Sequence, residues 1–133
     1  MAKQFTLGRK ERLKSRKRIE ELFSAGTRFN AFPFRVYYLS GKADHPLQFG
    51  ISVSTRHFKK AADRNRVKRL VREAWRLQKN ELVALLQAKK RQLSVFFIYT
   101  QKDLPDYKTV SEKTGLILKK LAKILHETDP SNS

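Results

Sequence analysis

Apolar residues recur at helical spacing in three stretches of the chain. Repeats at i, i+3 and i+4 predict helices over Ser15–Ala25, Asp63–Lys79 and Val110–Leu125. Ser15 is a suitable N-cap for the first helix, and Gly26 stands where that helix would end. Asp63 is the predicted N-cap of the central helix, which the pattern continues through the apolar run LVALL.

Three further stretches have the composition of strands. FPFRVYYL (Phe32–Leu39) is rich in aromatic and β-branched residues, FGISVS (Phe49–Ser54) alternates, and LSVFFIYT (Leu93–Thr100) is apolar throughout. A turn cluster, Ser40–Pro46, separates the first two and predicts that they pair as a hairpin. Helices and strands in this order indicate an α+β fold.

The length of 133 residues predicts one folded domain. We expect a basic N-terminal arm over residues 1–14, a single domain over residues 15–127 and a disordered tail over residues 128–133. Thirty Lys and Arg against twelve Asp and Glu give a net charge of +18, which is a large self-repulsion in so short a chain. The composition therefore predicts a polyanionic partner.

The same composition excludes several classes of protein. The chain has no cysteine, so it has neither disulfides nor a thiolate zinc site. The first thirty residues contain no apolar signal region, and the longest apolar runs are far shorter than the roughly 20 residues of a bilayer span. We therefore expect a soluble cytoplasmic protein with no membrane partner.

The central helix carries charge on one side. In RNRVKRLVREAWR (Arg64–Arg76), six basic residues face a single acid, Glu73. At about 100° per residue the apolar positions form one stripe, and the opposite side carries Asn65, Lys68, Arg69, Arg72, Arg76 and Lys79. A merely solvated face would mix the two signs of charge. Because arginine engages phosphate oxygens with a planar fork, the pattern favours a phosphate-binding ridge.

Aromatic residues suggest a second surface. In the strand FRVYYL, Phe34, Val36 and Tyr38 share one face, while Arg35, Tyr37 and Leu39 share the other. The face that carries Arg35 is expected to be exposed to solvent. Tyr37 on that face then either stacks on an unpaired base or forms the rim of the core. The role of Phe23 is equally undecided, since its spacing from Ile19 is also that of a core residue.

No constellation of catalytic residues stands out in the sequence. His45, His57 and His126 lack metal-ligand spacing and are expected at the surface, and the five glycines are isolated. The aspartates fall in separate loops, which does not favour a two-metal nuclease. The sequence pattern therefore indicates a binding protein without catalytic residues of its own.

Four segments resemble one known family, the bacterial ribonuclease P protein subunit. AADRNRVKRLVREAWR (Ala61–Arg76) is similar to the family's R-N-R signature, and RLKSRKRIEELFSAGTR, FGISVSTR and SVFFIYT are similar to its first helix and two of its strands. The resemblance as a whole covers roughly Phe5 to Leu125. The resemblance implies an αβββαβα sandwich, in which the central basic helix packs on a mixed sheet through a left-handed crossover.

The resemblance also implies a function. Such a subunit binds a catalytic RNA and the single-stranded 5′ leader of precursor tRNA, while the RNA and its Mg²⁺ ions remove the leader. We expect the protein alone to be inactive and to need no obligate protein partner, with the Mg²⁺ bound mainly by the RNA. The alternative is a general or ribosomal RNA-binding protein with no role in processing.

Matching positions imply two sets of site residues. The residues implied to face the catalytic RNA are Arg64, Asn65, Arg66, Lys68, Arg69 and Arg72. The residues implied to line the leader cleft are Ile19, Phe23, Arg35, Tyr37, Ser52 and Ser54. Ile19 departs from the phenylalanine of many members, and Asp63 adds a negative charge just ahead of the signature.

Overall fold

Four strands and four α-helices lie within the part of the chain that the structure, a computed structural model, describes: residues 8–41 and 45–127. Their order is α1 (Arg16–Ala25), β1 (Thr27–Ala31), β2 (Phe34–Ser40), β3 (Leu47–Val53), α2 (Ala61–Gln78), α3 (Asn80–Ala88), β4 (Leu93–Tyr99) and α4 (Tyr107–Glu127). This is the α+β order that the resemblance implied, with one extra helix after α2. None of the described helices is both long and apolar enough to cross a bilayer.

The strands form one mixed sheet in the order β1-β2-β4-β3. β4 pairs antiparallel with β2 and parallel with β3, with Phe97 opposite both Val36 and Ile51. The predicted hairpin between Phe32–Leu39 and Phe49–Ser54 is therefore wrong. β4 lies between these two strands because its side chains are buried on both faces of the sheet, a pattern typical of a central strand.

Strand β1 has no signal in the sequence. TRFNA is mostly exposed and forms the edge of the sheet beside β2. Phe32 and Pro33 make the turn between these strands, so β2 begins at Phe34, two residues later than expected. The expected strand at Leu93 is confirmed.

The main core lies between the sheet and helices α2 and α4. Trp75 is fully buried, stacks on Phe49 with ring centroids 4.1 Å apart, and meets Phe97 edge to face at 5.6 Å. Val67 and Val71 occupy the same face of α2, as the apolar stripe predicted. The basic helix is thus fixed on the sheet by its apolar side.

Helix boundaries follow local capping. The Ser15 hydroxyl accepts a hydrogen bond from the Arg18 N–H, and Gly26 ends α1, as predicted. The prediction of Asp63 as N-cap is wrong: α2 begins at Ala61 after Lys60, which makes no side-chain cap, and Asp63 lies in the first turn. There its charge complements the helix dipole.

The central helix does not continue through LVALL as one rod. It ends at Gln78, and Lys79 joins it to α3. Lys79 was predicted on the basic ridge, but it is buried and pairs with Glu11. Lys79 lies on the buried side of this junction because it follows the buried Trp75 by one helical turn.

A smaller core fills the other face of the sheet. Leu22 of α1 packs with Leu13 and Phe96 there. The Phe96 ring lies over Gly50, where an added Cβ would stand 2.6 Å from a ring carbon. Glycine at this position therefore lets the aromatic ring lie flat against β3.

The predicted N-terminal arm is described from Gly8 onward. Its backbone lies along β3: Arg12 forms a parallel bridge with Phe49, and the Leu13 N–H donates to the Phe49 carbonyl at 2.8 Å. Leu13 is buried, so this segment packs on the folded unit. The rest of the arm and the predicted tail, residues 128–133, lie outside the described residues.

Candidate nucleic-acid interface

The exposed side of α2 borders a cationic cleft. A cavity of about 400 Å³ is lined by Arg12, Asn65, Arg69, Arg72, Glu73 and Arg76. Four guanidinium groups and one amide thus surround a space in which Glu73 is the single acid. Glu73 pairs with Arg76 at 2.5 Å, so that acid is already matched by one of the arginines.

The cleft concentrates positive charge. Partial burial and the neighbouring Arg12 charge both lower the pKa of Arg72. Each cause reflects an unfavourable environment for a cation, and an anion placed in the cleft would relieve it. A phosphate group is a suitable anion, because arginine forks bind its oxygens in pairs.

The residues implied to face the catalytic RNA divide by environment. Asn65, Arg66, Arg69 and Arg72 are exposed, and Lys68 is half-buried. Asn65, Arg69 and Arg72 meet in the cleft, whereas Arg66 and Lys68 do not line it. The structure thus brings three of the six together.

Arg64 is engaged within the protein. Its Nη1 donates to the backbone carbonyls of Phe58 at 2.7 Å and Lys59 at 2.9 Å. These bonds tie the first turn of α2 to the loop that follows β3. The guanidinium group therefore fixes the start of the helix that carries the cleft.

Arg12 belongs to the cleft, although no sequence pattern distinguishes it from the other basic residues of the arm. It reaches α2 because the backbone before α1 runs beside β3, next to the sheet position of Phe49. That placement depends on tertiary packing. The density of basic residues before Ser15 was the one available signal.

A second surface lies where α1 covers part of the sheet. Phe23 is 47% exposed, and its ring meets Tyr37 at 4.9 Å and Phe96 at 5.5 Å, both edge to face. Tyr37 packs on the small core while keeping part of its surface accessible. Two aromatic rings, held rigidly, therefore stand at the edge of the open sheet face.

The next row of that face has a polar residue on each side of Ile98. Arg35, Ile98 and Ser52 lie side by side across β2, β4 and β3. On the edge strand, Asn30 pairs with Arg35 and Arg28 pairs with Tyr37, which extends the polar face to β1. Phe23, Arg35, Tyr37 and Ser52 are thus neighbours on one side of the sheet.

The other two residues of the predicted cleft are not aromatic. Ile19 is half-buried and packs on the small core that contains Leu22. The Ser54 hydroxyl accepts a hydrogen bond from the Arg56 N–H at 3.0 Å, which shapes the turn after β3. Neither side chain offers an aromatic ring on which a base could stack.

Residues 8–41 and 45–127 contain no group of three or more His, Asp or Glu side chains arranged to hold a metal ion. His45, expected at the surface, is half-buried, and its Nδ1 lies 3.1 Å from the Leu47 carbonyl oxygen. The described side chains therefore offer binding surfaces built from cations and aromatic rings.

Comparison with known proteins gives one consistent result. The sequence model of the family described as Ribonuclease P matches residues 7–122. The ribonuclease P protein component of Porphyromonas gingivalis W83 is 39% identical over 109 residues, which is 80% of this chain and 79% of that protein. That of Nitrosococcus oceani is 39% identical over 80 residues, covering 60% of this chain and 66% of that protein.

Solved structures agree. The ribonuclease P protein from Thermotoga maritima is similar with a TM-score of 0.65 at 28% identity, covering 83% of this chain and 96% of that one. A Staphylococcus aureus ribonuclease P protein at 21% identity shares the fold, with a TM-score of 0.64 over 84% of this chain and 94% of that one.

Proposed function

The chain belongs to the ribonuclease P protein family, and from that premise we propose that it binds a catalytic RNA and the 5′ leader of precursor tRNA. In this role the protein is the accessory subunit of a tRNA-processing endoribonuclease, and the RNA carries the chemistry. The observation that supports the proposal most directly is the one-sided cationic cleft of α2 in a chain of net charge +18.

The cleft is assigned to the catalytic RNA. Arg69 and Arg72 present planar forks to phosphate oxygens from a helix that Trp75 fixes on the sheet. Rigid placement lowers the entropy that the side chains lose on binding. Arg64 contributes by holding the start of α2 against the preceding loop.

The aromatic surface is assigned to the leader. A single strand presents unpaired bases, and bases stack on exposed rings such as Phe23 and Tyr37. Arg35, one row further along β2, is positioned to meet the phosphate backbone of the same strand. Duplex RNA has no free base faces, so this surface favours a single-stranded segment.

The proposal assigns Mg²⁺ to the RNA. Among the described residues, no three or more His, Asp or Glu side chains converge on one point, so the proposal places the ions on the RNA. Phosphate oxygens are suitable hard ligands for Mg²⁺. The protein's contribution is then to bind, orient and neutralise the RNA around the scissile bond.

Replacing Tyr37 with alanine is expected to weaken binding of precursor tRNA to the assembled enzyme by about 1–3 kcal/mol, the usual value of one base stacked on an aromatic ring. Binding of mature tRNA, which lacks the leader, is expected to stay unchanged. The measurement is the dissociation constant of each tRNA from the complex of protein and catalytic RNA.

The matched control is Tyr107→Ala, which removes another exposed tyrosine at the start of α4. It is expected to leave both tRNA affinities unchanged. An equal loss of precursor and mature tRNA affinity in Tyr37→Ala would contradict the leader assignment.

A further inference from the structure

A buried ion pair fastens the segment before α1 to the junction of α2 and α3. Lys79 is 3% exposed, and its Nζ pairs with Oε1 of Glu11, whose side chain is 14% exposed. Glu11 Oε2 also accepts a hydrogen bond from the Gly8 N–H at 2.6 Å, and His45 Nε2 lies 3.8 Å from Oε1. Lysine and glutamate are seldom buried unless they are paired, so this contact fixes Glu11 in one place.

Arg12 follows Glu11 directly and is fixed from the other side as well. Its backbone bridges to Phe49 on β3, and the next residue, Leu13, is buried against the sheet. The Arg12 side chain meanwhile lines the cationic cleft together with Arg69 and Arg72. The segment before α1 thus places a basic side chain in the cleft beside α2.

Arg12 and Arg72 repel each other across the cleft. The charge of Arg12 lowers the pKa of Arg72, which reports repulsion between the two guanidinium groups. The segment that carries Arg12 opposes this repulsion through three contacts: the backbone bridge of Arg12 to Phe49, the burial of Leu13 and the ion pair of Glu11 with Lys79.

We propose that the Glu11–Lys79 pair helps to hold Arg12 in the cleft, and that Arg12 is an additional phosphate contact for the RNA partner. Glu11 and Lys79 act as positioning residues: they touch no RNA, and they hold Arg12 where its charge adds to the cleft. The inference rests on the proposed function, since it requires that the cleft binds RNA.

The first test is the salt dependence of RNA binding by Arg12→Ala. Each phosphate neutralised contributes about 0.7–0.9 to the slope of log K against log salt. Arg12→Ala is expected to bind the catalytic RNA about tenfold more weakly and to lose about that much slope. An unchanged slope would remove Arg12 from the interface and overturn the proposal.

The second test is Glu11→Gln, in which general electrostatics and the proposal predict opposite signs. This variant makes the chain more positive, which by itself strengthens binding to RNA. The proposal predicts weaker binding with the reduced slope of Arg12→Ala. The matched control Glu112→Gln removes an exposed carboxylate on α4 and is expected to bind at least as tightly as the unaltered chain.

Stability is separated from positioning by a third variant. Glu11→Gln leaves Lys79 buried without its acid, so the protein is expected to unfold more easily. In Glu11→Gln with Lys79→Met both charges are gone and the net charge is that of the unaltered chain. This double variant is expected to recover stability in chemical denaturation while keeping the reduced slope.

The outcomes are distinct. If the unaltered chain does not bind the catalytic RNA, the proposed function fails. If it binds, and the double variant has the affinity and slope of the unaltered chain, the pair is structural only and the inference is overturned. Combining Arg12→Ala with Glu11→Gln is expected to add no further loss of slope, whereas additive losses would also contradict it.

Discussion

Replacing Arg69 and Arg72 together with alanine is expected to lower affinity for the catalytic RNA at least a hundredfold. Both side chains line the cleft on α2. Hydrogen bonds to charged groups contribute about 1.5–3 kcal/mol each, so two contacts give about 3–6 kcal/mol. The slope of log K against log salt is expected to fall by about 1.4–1.8. Gel-shift titrations at several salt concentrations measure both quantities.

The matched control is Lys108→Ala with Lys119→Ala, which removes the same charge from exposed positions on α4. Its effect on affinity is expected to be much smaller, because those residues lie outside the cleft. Equal losses in the two double variants would show that only total charge matters, and would contradict a localised interface on α2.

Replacing Trp75 with alanine is expected to lower the free energy of unfolding by about 3–5 kcal/mol. The side chain is fully buried between Phe49 and Phe97, and its removal leaves a cavity under α2. That helix carries the cleft, so RNA affinity is expected to fall with the folded fraction. Urea denaturation followed by circular dichroism measures the stability.

Leu77→Ala is the control for Trp75→Ala. Leu77 lies on the same helix but is 42% exposed, so its truncation is expected to change stability by less than about 1 kcal/mol. A similar loss in both variants would mean that the helix, rather than the ring packing of Trp75, determines the stability.

Periodicity was enough to predict most elements. Ser15, Gly26 and the apolar stripe of α2 carry local signals, and the structure confirms the helices that they predicted. Strand pairing was not predictable in the same way. The order β1-β2-β4-β3 depends on β4, which joins the sheet from more than fifty residues beyond β2, and a turn between β2 and β3 gives no information about it.

The candidate site was predictable only in part. Helical spacing placed Arg69 and Arg72 on one side of α2, and they meet in the cleft. The same spacing could not place Arg12, whose backbone bridges to Phe49, nor could it show that Lys79 is buried and paired with Glu11. Contacts between distant segments decide these positions.

The aromatic surface shows the same limit. Alternation in β2 separated Tyr37 from the core face but left its role open, because a rim residue and a stacking residue have the same spacing. Its contact with Phe23 at 4.9 Å comes from the packing of α1 on the sheet. The sequence contains both rings, and the fold brings them together.

Cleavage of a precursor tRNA in low Mg²⁺ by the cognate catalytic RNA, with and without the protein, decides whether this chain acts in tRNA processing. We expect the mixture to cleave efficiently at the mature 5′ end and the protein alone to cleave nothing. If the protein adds nothing to its cognate RNA, the processing role is contradicted, and a general RNA-binding function becomes the better explanation of the cationic cleft.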